Sequence, residues 1–140
     1  MELHIKKLHQ DAYIPVYAHD GDAGMDMCAL EETIAPVGQR ISVPTGISMA
    51  IPDGHVGLVW EKSGLAFKHG IKTFGGVIDS GYRGEVMIGL INTSNTEYVF
   101  RKGDKVAQIL IQKVEHPRIV EVLELDNTER GEDGFGSTGN

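Results

Sequence analysis

Short apolar stretches rich in β-branched residues recur along the chain, separated by polar segments that carry glycine, proline, asparagine and aspartate. HVGLVW (residues 55–60), EVMIGLINT (85–93), EYVF (97–100), KVAQILIQKV (105–114) and RIVEVLEL (118–125) read as strands. PVGQ, IPDGH, IDSGY, NTSN and RKGDK supply the turn chemistry between them. That spacing predicts an all-β fold, a jelly-roll-like β-sandwich. The one helix the pattern supports is short: SGLAFKHG, with Ser63 as cap and Gly70 as terminator. From Asn127 onward the β pattern stops, and NTERGEDGFGSTGN has the composition of a mobile end.

At 140 residues and 41% apolar content, the chain suits one domain with a real core. Residues 1–126 are expected to form the β domain and residues 127–140 a mobile C-terminal arm. The longest apolar runs, MIGLI and VAQILI, fall far short of the ~20 residues of a membrane span. The start, MELHIKKLHQ, lacks the apolar stretch of a signal peptide. No membrane association and a cytoplasmic location are therefore expected. Cys28 is the single cysteine and reads as a small core residue, with no disulfide and no zinc spacing available to it. The net charge of −7 argues against a broad basic footprint and hence against stable nucleic-acid binding. A phosphate-bearing partner would have to be small and locally gripped.

Five clusters carry candidate chemistry. In DAGMDMCA (22–29), Asp26 stands between two methionines, so alternation buries the methionines and sends the carboxylate to the other face. EKSGLAFKHGI (61–71) joins a cation, a hydroxyl and a glycine, Lys62, Ser63 and Gly64, where the free N–H groups of a starting helix favour an anion. GGVIDSGYRGEV (75–86) reads as a glycine-flanked hairpin with Asp79 at its heart and Tyr82 past the bend. GDKVAQIL (103–110) embeds Gln108 in an apolar strand, where the amide either finds buried partners or faces solvent on an edge. RGEDGFGSTG (130–139) resembles a phosphate loop without its lysine or its helix, and its lone Phe135 has no local apolar partner. Taken singly, each has a bland explanation as a solvated carboxylate, a cap, a turn residue, an edge amide or a frayed end.

Taken in chain order, the five resemble the five motifs of the trimeric deoxyuridine triphosphatase (dUTPase) family, over nearly the whole chain from about residue 22. The resemblance implies a jelly roll assembled as a homotrimer whose sites are shared between subunits. It implies hydrolysis of dUTP to dUMP and pyrophosphate by water attack at the α-phosphorus, with Mg2+ on the triphosphate. Such an activity limits uracil incorporation into DNA and supplies dUMP for thymidylate synthesis. In that scheme Asp79 holds and deprotonates the water, while Gln108, Lys62, Ser63 and Gly64 fix the water and the phosphates. Asp26 accepts from a Mg2+-bound water without ligating the metal. Backbone groups around Gly76 and Met87 pair with the uracil edge, Tyr82 lies under the deoxyribose, and Phe135 stacks on the base. Arg130, Gly136, Ser137 and Thr138 grip the terminal phosphates as the arm closes over a neighbouring subunit.

Three positions depart from the family pattern. Lys62 replaces an arginine and gives up its bidentate fork, Gly81 replaces a common acidic residue, and Asp133 stands at a usual glycine. Two rival readings compete. A dCTP deaminase shares the fold but needs a glutamate on the strand after the hairpin, where this chain has Gly89, with Glu85 nearby. A non-catalytic nucleotide-binding trimer would not need Asp79, Gln108 and Arg130 together.

Overall fold

The computed structural model describes residues 1–133. Eleven short strands and one helix follow in chain order: β1 (His4–Lys7), β2 (Met25–Cys28), β3 (Thr33–Ala35), β4 (Arg40–Val43), β5 (Ile47–Ala50), β6 (His55–Trp60), α1 (Ser63–His69), β7 (Ile71–Phe74), β8 (Val77–Ile78), β9 (Ile88–Asn92), β10 (Tyr98–Phe100) and β11 (Lys105–Lys113). All pair antiparallel, in sheets ordered β2-β11-β6-β8, β4-β9-β7, β1-β5 and β10-β3, and fold as a jelly-roll-like sandwich. No helix among the described residues is long and apolar enough to cross a membrane.

The core is drawn from alternate positions, as a period of two demands. In β9, Ile88, Leu90 and Asn92 are buried; in β11, Ala107 and Ile109 are, with Val106 added where the ladder register shifts. The apolar ones meet Met27, Val43, Ile47, Met49, Ile71, Val86 and Phe100 in one cluster. Asn92 is a buried polar residue outside that cluster, and its amide donates to the carbonyls of Ala35 and Thr96, so its burial leaves no donor unpaired. Cys28 sits at the margin of this core, half-buried rather than filling it.

The helix forms where expected and ends at Gly70, whose φ of 62° is the left-handed conformation that glycine tolerates. Its start differs by one residue. Lys62 takes the cap position without a side-chain hydrogen bond, and Ser63 is the first helical residue. Two further expectations are corrected. The arms of residues 75–86 do not pair with each other: β8 joins β6 while β9 runs between β4 and β7, so residues 79–87 form a loop that passes from one sheet to another. Residues 118–125 form no strand, and Ile119 at 94% and Leu123 at 103% exposure stand fully in solvent. Among the described residues this segment pairs with no strand.

Candidate active site

The register of one sheet builds the centre of the site. Gln108 on β11 lies opposite Asp26 on β2 and opposite Trp60 on β6. Directly opposed residues project from the same face, so the Asp26 carboxylate and the Gln108 amide stand side by side. Gln108 is therefore half-buried in the middle of the sheet, and its Nε2 donates to Glu61 O at 3.1 Å. Gly24 makes the space: a Cβ there would lie 2.7 Å from Gln108 Oε1.

Asp26 is on the face opposite its methionines, as alternation requires, yet it is only 4% exposed. Two lysines cover it. Lys62 Nζ donates to Oδ1, and the Lys105 ammonium lies 2.6 Å from Oδ2 without the alignment of a hydrogen bond. Burial pushes the carboxyl upward, but the contacts from Lys105 and Lys62 outweigh it and hold the group below the ordinary carboxylate range. Lys105 was not anticipated as a site residue, because simple alternation places it on the face opposite Gln108. A β-bulge between Lys105 and Ala107 reverses that parity and turns Lys105 onto the side of Asp26.

These residues open on a cleft of about 460 Å³, lined by Asp26, Lys62, Ser63, Gly64, Lys105 and Gln108 together with Lys68 and His69. The short loop from β6 to α1 that carries Lys62 and leads into Ser63 is anchored by Glu61, which accepts from Lys72 and, at 2.9 Å, from Thr73 Oγ1. The Lys72 contact chiefly holds the Glu61 carboxyl down, from 4.5 to about 2. A depressed folded-state pKa adds stability that is fully present above the unfolded value of 4.5 and disappears as pH falls toward 2. With Lys72 half in solvent, screening leaves roughly 1 kcal/mol of this at neutral pH. Glu61→Gln should accordingly unfold at lower urea concentration than the parent at pH 7, and the gap should close by pH 2. A gap that persists unchanged into acid would show that the ion pair is not its source.

Asp79, Tyr82 and Met87 line a different and smaller cleft, about 240 Å³, with Val77, Ile78 and Glu85. One chain thus brings Asp26, Lys62, Ser63, Gly64 and Gln108 together and holds Asp79, Tyr82 and Met87 apart from them. Gly76 borders neither cleft. Its carbonyl accepts from Val59 N at 2.8 Å, and a Cβ on it would sit 2.5 Å from Val59 O, so only glycine fits. Arg130 is exposed, its Nε donating to Asp133 O at 2.8 Å within a turn. Phe135, Gly136, Ser137 and Thr138 lie outside the described residues, as does most of the expected phosphate-gripping tail.

The residues weighed for deamination have other work or no room. Glu85 Oε1 accepts from Gly46 N at 2.7 Å. At Gly89 a Cβ would lie 2.8 Å from Phe74 O and 2.9 Å from the Phe74 ring, so the strand cannot carry a glutamate there without moving its neighbour.

The dUTPase family model matches residues 10–139. A deoxyuridine 5'-triphosphate nucleotidohydrolase of Paramecium bursaria Chlorella virus 1 is 44% identical over 96% of both chains, and one of Clostridium kluyveri is 45% identical over 99% of both. Among solved structures, a variant of the Staphylococcus bacteriophage 80alpha dUTPase with dUpNHpp superposes with a TM-score of 0.89 at 27% identity over 99% of both chains. A variant of the dUTPase from phage phi11 of S. aureus, described for the coordination of a structural Mg(II) ion, superposes at 0.82 with 26% identity over 89% of this chain and 98% of that one. With a family model matched over nearly its whole length and relatives 44–45% identical, the chain belongs to the dUTPase family.

Proposed function

We propose that the protein hydrolyses dUTP to dUMP and pyrophosphate by water attack at the α-phosphorus, limiting uracil incorporation into DNA and supplying dUMP for thymidylate synthesis. The observation that carries this reading is the cleft in which a desolvated carboxylate and a fixed amide face three lysines, Lys62, Lys68 and Lys105. Such a wall suits a polyphosphate, whose charge a chain of net charge −7 could not otherwise attract.

Asp79, exposed at the turn where Tyr82 N donates to its carbonyl, is the base that orients and deprotonates the water. Gln108 has Nε2 occupied by Glu61 O, which leaves Oε1 to accept from that water. Lys62 exchanges its contact with Asp26 for a phosphate oxygen when substrate enters, and Lys105 keeps the carboxylate oriented. Ser63 and Gly64 meet the phosphates at the start of α1, and Arg130 with residues 136–138 closes on the terminal phosphates. Tyr82 and Met87 hold the sugar and the base, and Phe135 stacks on uracil. Because Gly76 O is engaged within the sheet, the base edge falls mainly to the backbone near Met87.

Magnesium fits these residues. Asp26 Oδ2 is buried without an aligned hydrogen bond, its contact being the Lys105 ammonium at 2.6 Å, so a metal-bound water would share that oxygen with Lys105. Among the described residues no group of three His, Cys, Asp or Glu could cage a metal, so the ion would be held chiefly by substrate oxygens. When bound there, it supplies charge neutralisation on the triphosphate.

A homotrimer with shared sites is part of the same proposal. Asp79 and Gln108 occupy separate clefts of one chain, and apolar residues 118–125 stand uncovered, so contact between copies would complete the site and cover that segment.

The test is pyrophosphate release from dUTP, dTTP, dCTP and UTP. The reading expects turnover of dUTP alone at an appreciable rate; ammonia from dCTP or equal use of UTP would contradict it. Lys62→Arg should leave kcat/KM unchanged or up to about tenfold higher, since guanidinium pairs two phosphate oxygens where ammonium is a point charge. A large loss would mean that the corner is built around lysine.

A further inference from the structure

The loop of residues 79–87 has no ladder of its own, since its flanking strands belong to different sheets. Loops of that kind are ordinarily compliant. This one is pinned at four points to residues 45–48, which lead into and begin β5. Thr45 Oγ1 donates to Val86 O at 2.6 Å, Gly46 N donates to Glu85 Oε1 at 2.7 Å, Val86 N donates to Ile47 O at 2.9 Å, and Ser48 Oγ donates to Arg83 O at 2.6 Å. Thr45 is 2% and Ser48 6% exposed, so water cannot readily take over either hydroxyl's bond. Gly46, at φ 68°, carries the turn that brings both hydroxyls to bear.

Bonds inside the loop pass this restraint on. Tyr82 OH donates to Glu85 O at 2.9 Å, and Arg83 Nη1 donates to Ser80 O at 2.5 Å and to Tyr82 O at 2.8 Å. The pinned stretch, residues 83–86, is the spacer between Tyr82 and Met87, which face the same cleft.

We infer that Thr45 and Ser48, with Glu85 as their companion tether, are positioning residues that set nucleobase selectivity by fixing Tyr82 relative to Met87. The inference rests on the reading of this cleft as the base and sugar site. Discrimination against one extra methyl group is only about 10- to 200-fold in a well-formed pocket, and it depends on walls that do not yield. Removing the two hydroxyls leaves the backbone bond from Val86 N to Ile47 O in place, so the loop stays attached but can give way to a larger base.

The experiment compares Thr45→Val, Ser48→Ala, the double variant and Thr45→Ser, reading kcat/KM for dUTP and dTTP together with amide hydrogen exchange over residues 80–87. The expected result is a dUTP-to-dTTP preference reduced about tenfold in the double variant, with KM for dUTP rising more than kcat falls, faster exchange in the loop, and preference restored in Thr45→Ser. An unchanged preference in variants that merely melt earlier would overturn the inference and leave both hydroxyls a structural role. If the double variant does not fold, Ser48→Ala alone carries the test, because its partner carbonyl is only partly buried. A parent protein without preference for dUTP over dTTP would sink the base-site reading instead, and slower or unaltered loop exchange in Ser48→Ala would then dispose of the clamp separately.

Discussion

Asp79→Asn should lower kcat for dUTP by about 10³-fold while leaving nucleotide binding and melting temperature close to the parent. A positioned general base contributes roughly 10²- to 10⁴-fold, and the amide matches the carboxylate in size but cannot take the proton. The fold should not register the change, because Asp79 is exposed and its contribution to the turn is a backbone bond, from Tyr82 N to Asp79 O at 3.1 Å. Binding of a non-hydrolysed dUTP analogue by calorimetry, beside single-turnover hydrolysis, separates the two effects. A variant turning over near the parent rate would remove Asp79 from the role of base.

Deleting everything after Asn127 should lower kcat/KM by roughly a hundredfold or more, since each 1.36 kcal/mol of lost transition-state stabilisation is about a factor of ten. The deletion takes Arg130 from the leaving pyrophosphate and Phe135 from the base. Stability should hardly change. Residues 128–133 are exposed and contribute nothing to the core cluster, so no apolar surface of consequence is lost with them. Thermal unfolding and sedimentation beside dUTP kinetics check both halves. A truncated protein that hydrolyses dUTP at close to the full rate would mean that the tail is a simple frayed end.

Local chemistry explains which parts of the fold were legible in the sequence. The extent of α1 could be read because Gly70 ends it in the left-handed conformation, and β6, β9, β10 and β11 because their apolar residues are dense and bounded by turns. Residues 118–125 carry the same signal without forming a strand, since pattern declares a strand's preference and not the existence of a partner edge. Residues 75–86 read as a hairpin because glycines and a turn suggest one; which sheet each arm joins is a long-range matter that no local residue encodes.

The site divides in the same way. Asp26, Lys62, Ser63, Gly64 and Gln108 line one cleft, with Asp26 and Gln108 brought together because β2 and β11 are neighbours in register. Lys105 was hidden by a one-residue bulge that inverts the facing of everything before it, and Gly24 by a role visible only as the space it leaves for Gln108. Thr45 and Ser48 lie more than thirty residues from the carbonyls they hold, with no sequence mark beyond being hydroxyls just before and within a strand.

The most direct test of the central claim is to hydrolyse dUTP in ¹⁸O-labelled water and locate the label by mass spectrometry. Attack at the α-phosphorus by a water held between Asp79 and Gln108 predicts dUMP carrying one ¹⁸O and pyrophosphate carrying none. Labelled pyrophosphate with unlabelled dUMP, or release of orthophosphate and dUDP, would contradict the account.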